Sequence, residues 1–326
     1  MFLYSLLYFV FVVNEMLDKY IVFQICSIIF NCILIHCQDG TEIYGQVAND
    51  RKKYASEVGL IRYNKGSETV YCTGTIINSE WLVTSRHCFQ SGTEIGTVLV
   101  NALSSKDKEA KSIRFSQVVV HGDFQEAEGI NDVALVKTES HMDAAMEGVN
   151  FAYLMKNNWP GGLRYNRSCR IVHYVRSEGS SEIKLYKDDV FAEAGPSACK
   201  CKNFGYAKQP PLGLFQQEAI CANSKIKEFS CYTHTEAPLF CSDELVGIGH
   251  LVIDCDSTEL NYQENIKICK NGRKNLNTFT AIHTHKEWMK SKGIKFPQKN
   301  LRGKAANINS LLNLILASAG LCFKMT

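Results

Sequence analysis

Three side chains in this sequence are of types that, brought together, move protons and attack carbonyl groups. His87 stands in Thr84-Ser85-Arg86-His87-Cys88, and Asp132 stands in Asn131-Asp132-Val133-Ala134-Leu135. Thr235 offers a hydroxyl within Phe229-Ser230-Cys231-Tyr232-Thr233-His234-Thr235-Glu236-Ala237-Pro238-Leu239. In acyl transfer a histidine takes the proton of the nucleophile, a buried aspartate fixes the imidazole tautomer, and backbone N–H groups receive the oxyanion. Taken singly, a histidine beside a cysteine and an aspartate opening an apolar strand read first as satisfied structural residues. Chemistry depends on a frame that brings all three to one point.

That frame is globular. The chain has 326 residues, 45% hydrophobic and 21% charged, enough to bury one large core or two modest ones. Net charge is +3, from 36 basic and 33 acidic residues without a long run of one sign. This excludes nucleic acid as an expected partner and leaves no polybasic patch for a membrane surface. The 14 cysteines form no CxxC pair, and no Cys/His cluster has zinc spacing, so disulfides are expected, with no metal and no cofactor.

Both ends are apolar. Phe2–Val13 and Tyr20–Ile35 are split by a polar segment ending in Lys19, so the second run reads as the core of a secretory leader, with cleavage near Cys37-Gln38. Residues 1–37 are therefore assigned to a leader and apolar extension, and the mature protein is expected outside the cell without a membrane anchor. The competing reading is a transmembrane anchor formed by these runs, which would make the protein a membrane-anchored interaction protein. Residues 298–326 form a tail of unassigned role with an apolar run at Leu311–Ala319. A lipid-anchor signal, an amphipathic tail and an extension outside the domain all remain open for it.

Between the ends, short β-rich runs alternate with polar turns. Val58–Tyr63, Val70–Ile77, Trp81–Thr84, Val98–Leu103, Ile113–His121 and Val133–Lys137 make a first set. A polar connector from Ser140 to Ser168 ends in Asn166-Arg167-Ser168, a glycan acceptor at Asn166 if the chain is secreted. A second set follows at Arg170–Val175, Ile183–Phe191, Glu218–Cys221, Glu244–Ile253 and Phe279–Ile282, with a helical pattern over Ile282–Lys290. Many short strands without alternating helices predict an all-β barrel or sandwich.

The His87 and Asp132 segments, followed by Cys231 to Leu239, resemble the trypsin/chymotrypsin-like serine protease family in the order His, Asp, nucleophile. The resemblance covers about residues 43–292. It implies two six-stranded antiparallel β-barrels with a C-terminal helix. It also implies disulfides Cys72–Cys88, Cys169–Cys241 and Cys231–Cys255, and a pairing of Cys221 with Cys199 or Cys201; Cys269 and Cys322 are left unassigned.

This sequence departs from the family where the chemistry is done. The family's Cys-x-Gly-Asp-Ser-Gly-Gly-Pro-Leu is here Cys231-Tyr232-Thr233-His234-Thr235-Glu236-Ala237-Pro238-Leu239. Thr235 takes the nucleophile position with a stiffened χ1. Thr233 replaces a glycine whose N–H belongs to the oxyanion hole, in a conformation a β-branched residue resists. His234 replaces the aspartate that pairs with the freed N-terminus. The segment before Ile43, Gln38-Asp39-Gly40-Thr41-Glu42, holds no basic residue for tryptic activation. Phe229 occupies the base of the specificity pocket, and its wall, Ser-Trp-Gly in the family, reads His250-Leu251-Val252. The implied protein is a secreted, non-catalytic homologue that binds a protein or peptide ligand, as a decoy or cofactor in a proteolytic cascade. The alternative is a weakly active endopeptidase using His87, Asp132 and Thr235.

Overall fold

Apolar residues at every second position, with β-branched side chains between polar turns, build sheets that close on themselves. In the computed structural model, described over residues 46–89, 94–124, 131–142, 148–155, 167–176, 180–194, 219–224, 236–254 and 275–297, strand β1 (Gln46–Val47) comes first. Six strands follow: β2 (Val58–Lys65), β3 (Glu68–Ile76), β4 (Trp81–Thr84), β5 (Gly96–Val100), β6 (Lys111–Val120) and β7 (Ala134–Thr138). They close in the order β2-β3-β4-β7-β6-β5, each antiparallel to its neighbours. Closure removes the unpaired edges that an open sheet would expose.

The second barrel repeats this plan. After β8 (Tyr153–Leu154) come β9 (Arg167–Arg176), β10 (Ile183–Ala194), β11 (Ala219–Ser224), β12 (Pro238–Cys241), β13 (Glu244–Asp254) and β14 (Asn275–Ala281). Their order is β10-β11-β14-β13-β12-β9, and pairing of β9 with β10 closes the ring. β1 pairs with β10, and β8 lies parallel to β13. A 3₁₀ turn, Ile282–His285, leads into the short helix α1 (Lys286–Ser291).

Three differences from the sequence reading have local causes. β5 stops at Val100 because Asn101 takes a φ of 55° and turns the chain, where a strand to Leu103 was expected. β12 was not expected, since four residues are too few to show alternation. It exists because Ser242 and Asp243, with φ of 55° and 61°, form a two-residue turn that folds Cys241 against Glu244. The first turn of the expected C-terminal helix is wound as 3₁₀.

The barrels share one core. Leu60, Val83 and Leu135 from the first belong to the same buried cluster as Tyr174, Leu185 and Phe240 from the second. Polar bonds fix the relative placement: the Tyr174 hydroxyl donates to Ala102 O at 2.8 Å, and Tyr174 N–H donates to Thr73 Oγ1 at 3.0 Å. Arg170 on β9 donates to Glu57 at 2.8 Å. Disulfides Cys72–Cys88 and Cys169–Cys241 are present, the first anchoring the His87 turn to β3 and the second joining β9 to β12. Cys221 is also disulfide-bonded. Asn166, Cys231, Cys255, both apolar N-terminal runs and the tail lie outside the described residues. Among the described residues, no helix is long and apolar enough to cross a membrane.

Candidate active site

The site forms where the two barrels meet. β4 delivers the chain to a three-residue 3₁₀ turn, Arg86–Cys88, which carries His87 at the barrel rim. Asp132 sits two residues before β7, after Asn131, whose φ of 59° re-aims the backbone. Asparagine tolerates this left-handed conformation better than most residues. Its side chain is held on both ends: Nδ2 donates to Asp123 O at 3.0 Å, and Oδ1 lies 3.2 Å from His285 Nε2 in the turn before α1.

The pair meets closely. His87 Nδ1 lies 2.6 Å from Asp132 Oδ2, and the His87 backbone N–H donates to Asp132 Oδ1 at 2.9 Å. The aspartate is fully buried, while the His87 side chain is 29% exposed. This is the geometry in which a carboxylate fixes an imidazole with Nδ1 protonated and Nε2 turned outward.

A second imidazole shares that carboxylate, and the sequence reading missed it. His250, a pocket-wall position by the resemblance, has its Nδ1 2.6 Å from the same oxygen, Asp132 Oδ2. The cause is a β-bulge: Gly249 pairs with Phe279 and Leu251 with Thr278, so His250 is the extra residue on β13. A bulge re-aims the side chain it carries, and here it points across the barrel junction. The neighbouring backbone is pinned, because Ser85 Oγ donates to Gly249 O at 2.5 Å. Burial pushes the Asp132 carboxyl up, but the adjacent His87 and the hydrogen bonds from His250 and His87 outweigh it. The net result holds Asp132 well below the usual carboxylate range.

A second carboxylate faces the other side of His87. Glu236 is only 7% exposed, and its Oε1 lies 3.8 Å from His87 Nε2. Its other oxygen, Oε2, is buried without a hydrogen-bond partner. Burial, and to a lesser degree Glu94 and Glu236, push the Tyr63 phenol up to about 12, and the Tyr63 hydroxyl donates to Cys88 O beside the site. His87 is therefore flanked by a carboxylate at each ring nitrogen. The sequence signal was available in Glu236, which stands where the family has glycine, but that comparison alone gave no hint of its contact.

Other expected site positions are not described. Thr233, Thr235 and Phe229 lie outside the described residues, while Leu251 and Val252 are placed as backbone within β13. The described cluster is His87, Asp132, His250 and Glu236.

The protein-family model for Trypsin matches residues 47–270. Among curated relatives, U21-ctenitoxin-Pn1a of Phoneutria nigriventer is 28% identical over 33% of this chain and 46% of its own length. The chain thus spans less than half of that relative. Collagenase of Hypoderma lineatum is 20% identical over 63% of this chain and 75% of its own, and Trypsin of Sarcophaga bullata is 24% identical over 55% and 67%. A solved HL collagenase structure superposes with a TM-score of 0.58 at 18% identity, covering 78% of this chain and all of that one. A second structure, GrC, gives 0.56 at 16% identity, covering 77% of this chain and 99% of that one.

Proposed function

Since the chain belongs to the trypsin family, we propose that it is a secreted, non-catalytic member that binds a protein or peptide ligand in a regulatory role. The domain responsible spans about residues 43–292. The observation that carries this reading is Glu236, whose buried carboxylate stands 3.8 Å from His87 Nε2. A general base must be neutral and must offer that nitrogen to the nucleophile's hydroxyl. Glu236 stands at that nitrogen, on the side from which the hydroxyl would have to approach. His250 adds a further competitor for Asp132.

Residues of the nucleophile loop support the same conclusion from the sequence. Thr233 at the oxyanion-hole position and Thr235 at the nucleophile position each oppose turnover, and loss of one oxyanion donor costs about 3 kcal/mol of transition-state stabilisation. A protein can keep the frame of an enzyme while its surface serves binding, because function resides in sites carried by the fold. The disulfides fit an oxidising, extracellular setting.

The 2.6 Å contact between His87 and Asp132 favours one rival, a weak endopeptidase working through Thr235. Fluorophosphonate labelling alongside turnover of mixed peptide substrates separates the two. The non-catalytic reading expects neither signal. Stoichiometric labelling at Thr235 with measurable turnover establishes the rival.

A further inference from the structure

We infer that His87, Asp132 and His250 form a binding site for a divalent transition-metal ion of the zinc class, with Glu236 as its outer carboxylate. The three side chains come from different elements: the turn after β4, the approach to β7 and the bulge in β13. They nonetheless bring their ligand atoms within 4.8 Å of one another. Two imidazoles and one carboxylate, with a solvent-facing side, match the donor set of open zinc sites that retain a water. Imidazole nitrogen suits such ions, whereas calcium and magnesium require oxygen donors.

Glu236 gives the independent observation. Its side chain is nine-tenths buried, its Oε2 has no hydrogen-bond partner, and its Oε1 faces the outer nitrogen of His87 at 3.8 Å. A metal-bound histidine regularly donates its remaining ring N–H to a carboxylate, which fixes the tautomer and strengthens the ligand. With an ion on His87 Nδ1, the proton resides on Nε2 and faces Glu236. Glu236 Oε1 then faces an N–H donor, on the carboxylate whose Oε2 is buried without a partner.

The geometry requires only small movement. Both Nδ1 atoms now sit 2.6 Å from Asp132 Oδ2 as hydrogen-bonded neighbours. Nitrogen and oxygen ligands of one tetrahedral ion stand about 3.3 Å apart, so each ring retreats by roughly 0.7 Å. His87 has room on a three-residue turn with its side chain 29% exposed, which also opens the site to solvent. His250 sits on a bulge, outside the regular β13–β14 ladder. Sequence spacing could not reveal the site, because its ligands lie at positions 87, 132 and 250.

The test is equilibrium dialysis of the purified, metal-stripped protein against Zn²⁺ alone, with visible absorption of the Co²⁺-loaded protein as a second readout. The expected result is one Zn²⁺ per chain and an intense tetrahedral Co²⁺ band. His250→Gln and His87→Gln each weaken binding at least a hundredfold, while Glu236→Gln weakens it by about ten- to a hundredfold. Thermal unfolding of each variant verifies that it folds, and His87→Gln, at an exposed position, provides the measurement if His250→Gln does not fold. Absence of stoichiometric uptake, uptake unchanged in His87→Gln, or a weak octahedral Co²⁺ spectrum overturns the site. This inference stands apart from the non-catalytic reading. Turnover appearing when the metal is stripped would defeat that reading and leave the site intact.

Discussion

His285 links the C-terminal segment to Asn131, the neighbour of Asp132, and it makes the fold sensitive to acid. Its ring is 2% exposed, with Nε2 at 3.2 Å from Asn131 Oδ1 and Nδ1 at 2.8 Å from Thr284 Oγ1. Burial pulls its pKa down to about 4, against a weaker opposing effect from the Ala281 carbonyl, and His121 and His283 repel its charge further. A histidine depressed on folding is stabilised in its neutral form, so its contribution is complete above the unfolded pKa of about 6.5 and is lost as pH falls towards 4. The gap of roughly 2.5 pH units corresponds to about 3 kcal/mol lost between pH 7 and pH 4. His121 and His283, both depressed first by burial, add losses of the same sign. Asp132 contributes its own loss only at lower pH, because its carboxyl is held below the usual range.

The perturbation is His285→Gln, which places an amide N–H near the position of Nε2 and cannot titrate. Urea unfolding between pH 7 and pH 4 measures the slope of stability against pH, so any fixed cost of the substitution cancels. The variant should lose about 3 kcal/mol less than the parent over this range. Parallel slopes in parent and variant would refute the argument, since burial of a neutral His285 would then carry no pH-dependent free energy.

Four further outcomes are expected, the first from the sequence of the nucleophile loop and the others from the structure. Thr235→Ser alone should yield no peptide turnover, and restoration should need Glu236→Gly together with Thr233→Gly, His234→Asp and a cleavable basic residue at Glu42, read by fluorophosphonate labelling. Leu135→Ala should cost about 2 to 5 kcal/mol in chemical unfolding, because this fully buried side chain packs in the cluster shared by both barrels. Ser85→Ala should destabilise by about 1 to 3 kcal/mol, since it removes the donor to Gly249 O across the barrel junction. Replacing Cys72 and Cys88 with serine should cost about 2 to 4 kcal/mol and raise proteolysis at the His87 turn, measured by limited digestion.

The sequence by itself determined most of the frame. Val58–Tyr63, Trp81–Thr84 and Ile183–Phe191 carry enough β-branched and aromatic residues, bounded by turn signals, to declare strands without tertiary help. Spacing around Cys72, Cys88 and His87, with Asp132 opening an apolar run, singled out His87 and Asp132 as candidates through the family resemblance, and the two side chains meet at 2.6 Å. Tertiary structure decided where side chains point and which charges share a space. His250 reads as pocket wall until the bulge between Gly249 and Leu251 turns it onto Asp132. Glu236 reads as an intrusive charge until the junction of the barrels sets it opposite His87. Both contacts join residues more than a hundred positions apart in the chain, and a bulge shifts the side-chain alternation that sequence reasoning relies on. Local pattern fixes elements because their hydrogen bonds and propensities are local. The site is a property of how two closed barrels pack, and that depends on burial summed over the whole molecule.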